Sequence, residues 1–193
     1  MTQRVAGGPG GGTDTPLMQQ YREIKTRYPH TILFFRMGDF YEMFEDDARL
    51  GARELGLTLT SRNNGGAAEV PLAGVPVKAA TEYLRRLVAK GHRVAICEQV
   101  EDPKLAKGLV RREVVETITP GTVLTDDWLV QSRNNYLVAV GNGGIAALDV
   151  TTGELVLQVV TPDELESALA RYEALEYVVT SRAAMPPFPT ATR

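Results

Sequence analysis

The amino-acid sequence predicts an α/β (α+β) fold, with a mixed-sheet domain followed by a second, incomplete domain. Through residues 15–125, segments with apolar residues at helical spacing alternate with short β-rich runs, which favours a mixed sheet with helices packed on it. After residue 134, strand-like segments follow one another across Gly-rich or Thr-Gly turns, which is typical of antiparallel strands. We therefore treat the two regions as separate domains.

The first region contains clear signals for the starts and ends of helices. Thr15-Pro16 combines a capping hydroxyl with a proline at the first helical position. Gly38-Asp39 interrupts an apolar run, and we expect Asp39 to cap a helix that begins at Phe40. We predict, in order, a disordered leader (1–14), a helix (16–28), a strand (31–37), a helix (40–55) ended by Gly56, a strand (57–61), a loop (62–70), a short extended segment (71–76), a helix (77–91), a strand (93–100), a charged loop (101–112) and a strand (113–124).

The second region is predicted to follow a linker over residues 126–133 and to occupy residues 134–193. Its elements are predicted to be two or three antiparallel strands (136–160), a helix with Pro162 in its first turn (162–175) and a further strand (176–181). About 60 residues make a marginal domain, so we expect this unit to be truncated.

Composition and charge limit the classes of function. The chain has 193 residues, a formal net charge of −3 and a pI of about 5.5, which argues against strong binding to a polyanion. Residues 1–125 contain 17 basic and 15 acidic side chains (+2), and residues 126–193 contain 4 and 9 (−5). Only the first region could favour a polyanion, and only weakly. A single cysteine and the lack of an apolar run of about 20 residues lead us to expect a cytoplasmic protein without a membrane span.

Signals for enzymatic chemistry are few. The sequence has neither a phosphate-binding loop nor a dinucleotide fingerprint, and the glycines at 141–144 are interpreted as a tight turn. His30 and His92 are isolated, and Cys97 in its apolar strand is interpreted as a core residue. Asp149 is assigned a turn role rather than metal ligation. The acidic cluster 45–47 is interpreted as a solvated face at a helix N-terminus.

The segment FFRMGDFYEMF (34–44) stands out because it holds four phenylalanines and a tyrosine within 11 residues, in a chain that is 7% aromatic. Phe34 or Phe35 alternates into the predicted sheet, and Phe44 lies four residues after Phe40 on the predicted helix. Phe40 follows the Gly-Asp break directly. An aromatic residue at such a corner can project outward or join the core, and periodicity alone leaves both alternatives open.

Several longer strings carry a family resemblance. TPLMQQYREIK and ILFFRMGDFYEMFEDDA closely resemble the opening of bacterial MutS mismatch-recognition proteins. The resemblance continues through LTLTSR, PLAGVP, YLRRLVAKGHRVAICEQVEDP, KGLVRREVVETITPGT, NNYLVAV and ALDVTTGE, from about Thr15 to Glu154, with a weaker continuation to about residue 180. It implies a mismatch-recognition domain over 15–125 and the first part of an RNase H-like connector domain over 134–193.

The resemblance also implies roles for individual residues. The Phe-x-Glu motif that reads the mispaired base in this family falls on Phe40 and Glu42. The flanking and DNA-approaching positions of the family fall on Met37, Gly38, Arg62, Pro71, Lys78 and Arg112, and either Arg111 or its neighbour Arg112 could make the phosphate contact. An aromatic ring inserted from the minor groove can unstack a mispair, and such stacking tolerates any base.

The expected partners are double-stranded DNA with mispairs or small insertion/deletion loops and downstream mismatch-repair proteins. The full-length family also has lever and clamp domains and an ATPase domain that uses ATP and Mg²⁺. The phosphate loop of that family is missing from this sequence. We therefore expect a fragment or truncated relative without cofactor or ATPase activity, a monomer or weak oligomer, and weak, salt-sensitive DNA binding.

Two other functions are weighed against DNA-mismatch binding. The first is a protein-interaction module that docks repair partners through the acidic connector region. The second is an RNase H-like nuclease, for which the sequence offers Asp149 and Glu154 but no convincing set of metal-binding carboxylates.

Overall fold

The structure, a computed structural model, describes residues 14–64, 67–123, 134–141 and 143–179. Its helices and strands are α1 (Pro16–Arg27), β1 (Ile32–Met37), β2 (Phe40–Phe44), α2 (Glu45–Leu55), β3 (Thr60–Asn64), β4 (Ala67–Pro76), α3 (Ala80–Ala89), β5 (Val94–Gln99), β6 (Arg112–Ile118), β7 (Tyr136–Gly141), β8 (Gly144–Asp149), β9 (Glu154–Val159), α4 (Leu165–Ala170) and β10 (Glu176–Val179). Short 3-10 helices occupy Val77–Ala79 and Pro120–Thr122. The predicted α/β fold is confirmed.

The strands form two sheets. The first has six strands in the order β3-β4-β2-β1-β5-β6, and the second has four in the order β10-β7-β8-β9. The chain divides into two compact units, one drawn from Met1–Pro29, Leu33–Ala80 and Ile96–Val115, the other from His30–Ile32, Thr81–Ala95 and Glu116–Arg193. The predicted linker (126–133), and the leader apart from Asp14, lie outside the described residues.

The core of the first unit contains an aromatic cluster. α1 begins as predicted, with Thr15 capping the Met18 N–H and Pro16 at the first helical position. The helix buries Tyr21, whose ring meets those of Phe35 and Phe44 edge to face, with centroids 5.6 and 4.9 Å away. Such aromatic pairs contribute about 0.5–1.5 kcal/mol beyond the burial of their surface, so this cluster holds α1 against β1 and β2.

Asp47 is a buried exception within the predicted solvated cluster. The acids at 45–47 do lie in the first turn of α2, as expected. The Asp47 carboxylate, however, accepts hydrogen bonds from the Leu33 N–H (2.9 Å), the Tyr21 hydroxyl (3.1 Å) and the Lys25 ammonium (2.8 Å). Asp47 is thus buried rather than solvated, and the prediction of a solvated face is wrong for this residue. The three donors compensate the cost of burying its charge.

The second unit contains the predicted antiparallel strands. β7, β8 and β9 pair in sequence order, and β10 returns parallel to β7. One face of this sheet packs against α4, through a core formed by Val138, Val140, Ile145, Ala147, Val160, Ala168, Leu169, Ala174 and Tyr177. On the edge strand β9, Leu155, Leu157 and Val159 are exposed. The helix predicted over 162–175 is shorter than expected, since only Leu165–Ala170 is α-helical.

Two predictions about the first sheet are wrong. Residues 40–44 form strand β2 rather than the start of a helix, and α2 begins at Glu45 without a capping contribution from Asp39. The predicted loop over 62–70 is mostly a hairpin, in which β3 continues to Asn64 and β4 begins at Ala67. Residues 40–44 gain their strand conformation by pairing with β4, which is distant in sequence, whereas residues 62–70 pair with each other across the hairpin. Local propensity reveals neither pairing.

Candidate nucleic-acid interface

A tight hairpin turn brings Phe40 to the end of the first sheet. β1 and β2 pair antiparallel, with Met37 opposite Phe40, so only Gly38 and Asp39 form the turn. Gly38 has φ +57°, the positive φ that a type II′ turn requires at its first central residue. The Asp39 carbonyl accepts a hydrogen bond from the Val77 N–H at 2.9 Å, which ties the turn to the end of β4.

Phe40 is the exposed member of the aromatic segment. Phe40 is 44% exposed, whereas the other three phenylalanines and Tyr41 are buried. The sequence left open whether this ring points outward or joins the core, and the structure gives the outward orientation. The predicted corner between strand and helix is wrong, however, since Phe40 stands on β2 beside the hairpin turn.

Strand register places the predicted reading residues on one face of the sheet. Residues directly opposite each other in antiparallel strands project to the same side. By this rule the face that we call the Phe40 face contains Met37, Phe40, Glu42, Gly74 and Pro76. Pro71, which pairs with Ser61, lies at the alternate position of β4 and therefore on the opposite side.

Glu42 lies two residues after Phe40 on the same face and is partly buried. Burial raises the pKa of its carboxyl above the ordinary value, and the nearby positive charge of Arg62 partly opposes that shift. A carboxyl of this kind sits closer to the neutral form than an exposed glutamate does. It can therefore accept a hydrogen bond when ionised or donate one when protonated.

The opposite side of β2 anchors the hairpin. The Tyr41 hydroxyl donates to Glu98 of β5, and the Arg36 guanidinium reaches the same carboxylate at 3.4 Å while lying over the Tyr41 ring. Arg36 Nε also donates to the Gly38 carbonyl at 2.6 Å, inside the turn. Burial, and then the bond to Glu98, raises the pKa of Tyr41. This network holds the turn rigid beneath Phe40.

The predicted cationic contacts divide into exposed and buried side chains. Arg62 and Lys78 are exposed, and the Arg111 side chain is 65% exposed beside Glu113. Arg112 is only 7% exposed, and its guanidinium donates to the carbonyls of Arg36 (2.7 Å) and Val110 (2.8 Å) and to the Gln20 amide oxygen (3.0 Å). The Nε and one terminal nitrogen of Arg112 are thus bonded within the protein, which makes Arg112 the less accessible of the two predicted phosphate contacts. Of the two alternatives, the geometry favours Arg111.

Two residues of the site were missed by the sequence analysis. Gly74 stands directly opposite Glu42, and Glu98 holds the hydroxyl of Tyr41. The glycine in PLAGVP was visible as a small residue within an extended segment, and such a glycine signals a close approach of another group. No local signal indicates Glu98, since its partners are distant in sequence.

Residues considered for other chemistry have structural partners. Asp149 is buried and accepts hydrogen bonds from the Thr151 N–H and hydroxyl and from the Asn135 N–H, which confirms its turn role. Cys97 is buried as predicted. Within residues 14–64, 67–123, 134–141 and 143–179, no group of three His, Cys, Asp or Glu side chains could hold a metal ion. No helix in that part of the chain is both long and apolar enough to span a membrane.

Comparison with known proteins identifies the family. The family model for MutS domain I matches residues 15–127. The DNA mismatch repair protein MutS of Brevibacillus brevis is 53% identical over 167 residues, covering 84% of this chain and 19% of the relative. The MutS proteins of a Geobacillus species (50% identical) and Halothermothrix orenii (54%) align with 88% and 72% of this chain and with 20% and 16% of their own lengths.

This chain therefore spans about a fifth of the length of the relatives it matches. The matched region contains the hairpin, Phe40 and Glu42, and all the predicted DNA-contact residues. The extent of the family match and the identity of about half of the aligned residues lead to the same assignment, that the chain belongs to the MutS family and that its residues 15–127 match domain I of that family.

Proposed function

We propose that this chain binds double-stranded DNA that contains a mispair or a small insertion/deletion loop, as part of DNA mismatch repair. The single observation that carries the proposal is the exposure of Phe40, 44%, on a hairpin anchored from behind by the Tyr41, Glu98 and Arg36 network. The relatives are named as DNA mismatch repair proteins, and the match to domain I includes this hairpin.

Phe40 acts as an aromatic wedge in this proposal. A mispaired step is poorly stacked, so its unstacking costs less free energy than that of a matched step. Stacking of a base on an aromatic ring contributes about 1–3 kcal/mol and is tolerant of sequence, which suits a protein that reads errors. A rigid hairpin lowers the cost of ordering the ring upon binding.

Glu42 supplies discrimination in this proposal. A carboxylate beside phosphates is repelled, and it is compensated only where a base edge donates to it or where it is protonated and donates itself. The raised pKa of Glu42 makes the protonated form more accessible. Glu42→Ala should therefore tighten binding to matched DNA. A loss of mismatch affinity with unchanged matched affinity would instead make Glu42 a purely attractive contact.

Arg62, Lys78 and Arg111 supply the non-specific attraction to phosphates. Each phosphate neutralised contributes about 0.9 to the slope of log affinity against log salt concentration, so we expect a shallow but measurable salt dependence.

We also propose that this chain takes no cofactor and does not hydrolyse ATP by itself, since its sequence has no phosphate loop. Cytoplasmic localisation and the docking of downstream repair proteins belong to the same proposal.

The test is fluorescence anisotropy with a labelled duplex that carries one G·T mispair or one unpaired T, against its matched duplex at low salt. The wild-type chain should prefer the mispaired duplex, and Phe40→Ala should remove the preference. Leu59→Ala is the matched control, because Leu59 is exposed to a similar extent (47%) and lies outside the hairpin. Equal binding of both duplexes by the wild type would refute the proposal and favour a module that acts through protein partners.

A further inference from the structure

Glu42 and Gly74 face each other across the β2–β4 pair. Their Cα atoms are register partners, so a side chain at position 74 would project to the same side as that of Glu42. The Glu42 carboxyl group occupies this space. A Cβ added to Gly74 would lie 2.8 Å from Cδ and 3.1 Å from Oε1 of Glu42, and closer still to Oε2. Because Gly74 has no side chain, the Glu42 carboxylate fits into this space, which we call its seat.

The requirement for glycine at this position comes from space rather than from backbone conformation. The φ angle of Gly74 is not positive, so an L-residue can adopt the same backbone conformation. The group that an added methyl would displace is the end of a flexible side chain, which can rotate away at small cost in stability. Gly74→Ala should therefore leave the fold intact and move the Glu42 carboxylate.

The electrostatic state of Glu42 agrees with this seat. Burial raises the pKa of the carboxyl group, and the charge of Arg62 opposes the shift. A carboxylate pushed off Gly74 would regain water and lose part of that burial. A change at Gly74 should consequently be detectable as a change in the titration of Glu42, in the absence of DNA.

We propose that Gly74 is a positioning residue that sets where the Glu42 carboxylate lies beside Phe40, and thereby sets the discrimination between mispaired and matched DNA. This inference rests on the proposed function. Hydrogen bonds weaken steeply when donor and acceptor depart from about 3 Å and near-linear geometry, so a displacement by one methyl group is enough to misplace the carboxylate.

The first arm of the test uses the 193-residue chain without DNA. The side-chain carboxyl signal of Glu42, assigned by comparison with Glu42→Gln, is followed by NMR against pH in wild type and in Gly74→Ala. The pKa of Glu42 should fall toward the ordinary value of about 4.3 in the variant, with little change in the urea midpoint. An unchanged pKa would overturn the seating of Glu42 by Gly74.

The second arm measures Kd for mispaired and matched duplexes. The ratio of the Kd for matched DNA to the Kd for mispaired DNA should fall about tenfold in Gly74→Ala, the effect of misplacing one charge-assisted hydrogen bond. The double variant with Glu42→Ala should match Glu42→Ala alone, because Gly74 acts only through Glu42. Gly51→Ala is the control: its added methyl also meets the end of a flexible side chain, that of Met43, and not Glu42.

The two arms separate the possible failures. If the wild type prefers mispaired DNA and Glu42→Ala lowers the ratio while Gly74→Ala does not, the inference about Gly74 is overturned and the proposed function stands. If the wild type shows no preference, the discriminating role fails together with the proposed function. The NMR arm then still decides whether Gly74 seats the carboxylate.

Discussion

The guanidinium carbon of Arg112 lies 4.8 Å from the centre of the Phe35 ring, and Arg112 Nε donates to the carbonyl of Arg36 in the next residue of β1. Burial lowers the pKa of the Arg112 guanidinium, although one of its terminal nitrogens also donates hydrogen bonds, to the Gln20 side chain and the Val110 carbonyl. The side chain that was expected to contact phosphate is thus part of the support for the hairpin.

Arg112→Ala should destabilise the chain, whereas Arg111→Ala should not. Loss of a buried cation–π contact and of hydrogen bonds from a charged group costs about 2–4 kcal/mol. Replacing an exposed arginine changes the free energy of unfolding by no more than about 0.5 kcal/mol. Urea unfolding measures the first effect, and the salt dependence of DNA binding should become shallower in Arg111→Ala alone. A normal urea midpoint for Arg112→Ala would contradict the structural role.

Phe40 and Phe44 should respond in opposite ways to truncation. Phe44 is fully buried in the aromatic cluster, so Phe44→Ala should lower the free energy of unfolding by about 3–5 kcal/mol. Phe40→Ala should cost about 1 kcal/mol or less, since the ring is half-exposed. Thermal and urea unfolding of both variants provide the comparison. A large loss of stability in Phe40→Ala would mean that its effect on DNA binding is indirect.

Cys97 should be inert in the folded chain. Burial raises the pKa of its thiol to about 12, and the charge of Arg112 opposes that shift only in part. At pH 8 the thiolate fraction is then on the order of one in 10,000, and the thiolate is the reactive form. Iodoacetamide should label Cys97 only in denaturant, where the thiol titrates near its ordinary value. Labelling in native buffer at the denatured rate would contradict the buried position.

Asp149 should stabilise the second unit in a pH-dependent way. Burial alone would raise the pKa of its carboxyl, but hydrogen bonds from Thr151, Asn135 and Thr152 together lower it. The folded state therefore binds the proton less tightly than the unfolded state does. The contribution to stability is present above the ordinary carboxyl pKa, about 3.9, and is lost as pH falls through the lower folded value.

Asp149→Ala tests this dependence, because the substitution leaves the turn donors without their acceptor. At pH 7 the free energy of unfolding should fall by about 1–3 kcal/mol, measured by urea titration. The difference from wild type should shrink at pH 3. A difference that stays constant or grows on acidification would show that the ionised carboxylate is not the stabilising form.

Local sequence signals predicted the elements that depend only on a few consecutive residues. Thr15-Pro16 marked the start of α1, and the turns between β7, β8 and β9 marked that set of strands. The segment 40–44 was assigned to a helix because Asp39 was expected to cap a helix that begins at Phe40. The strand is selected instead by pairing with both β1 and β4, and β4 lies about 30 residues away along the chain.

The sequence by itself determined the α/β fold class, the family, and Phe40 and Glu42 as the residues on which a reading motif would fall. Tertiary structure alone decided that Phe40 points outward, that Arg112 is buried while Arg111 is exposed, that Asp47 is internal, and that Gly74 lies under Glu42. The physical reason is that exposure and register are properties of paired strands. A side chain's surroundings are set by partners distant in sequence, whereas helical spacing, capping and turn signals are contained in a few consecutive residues.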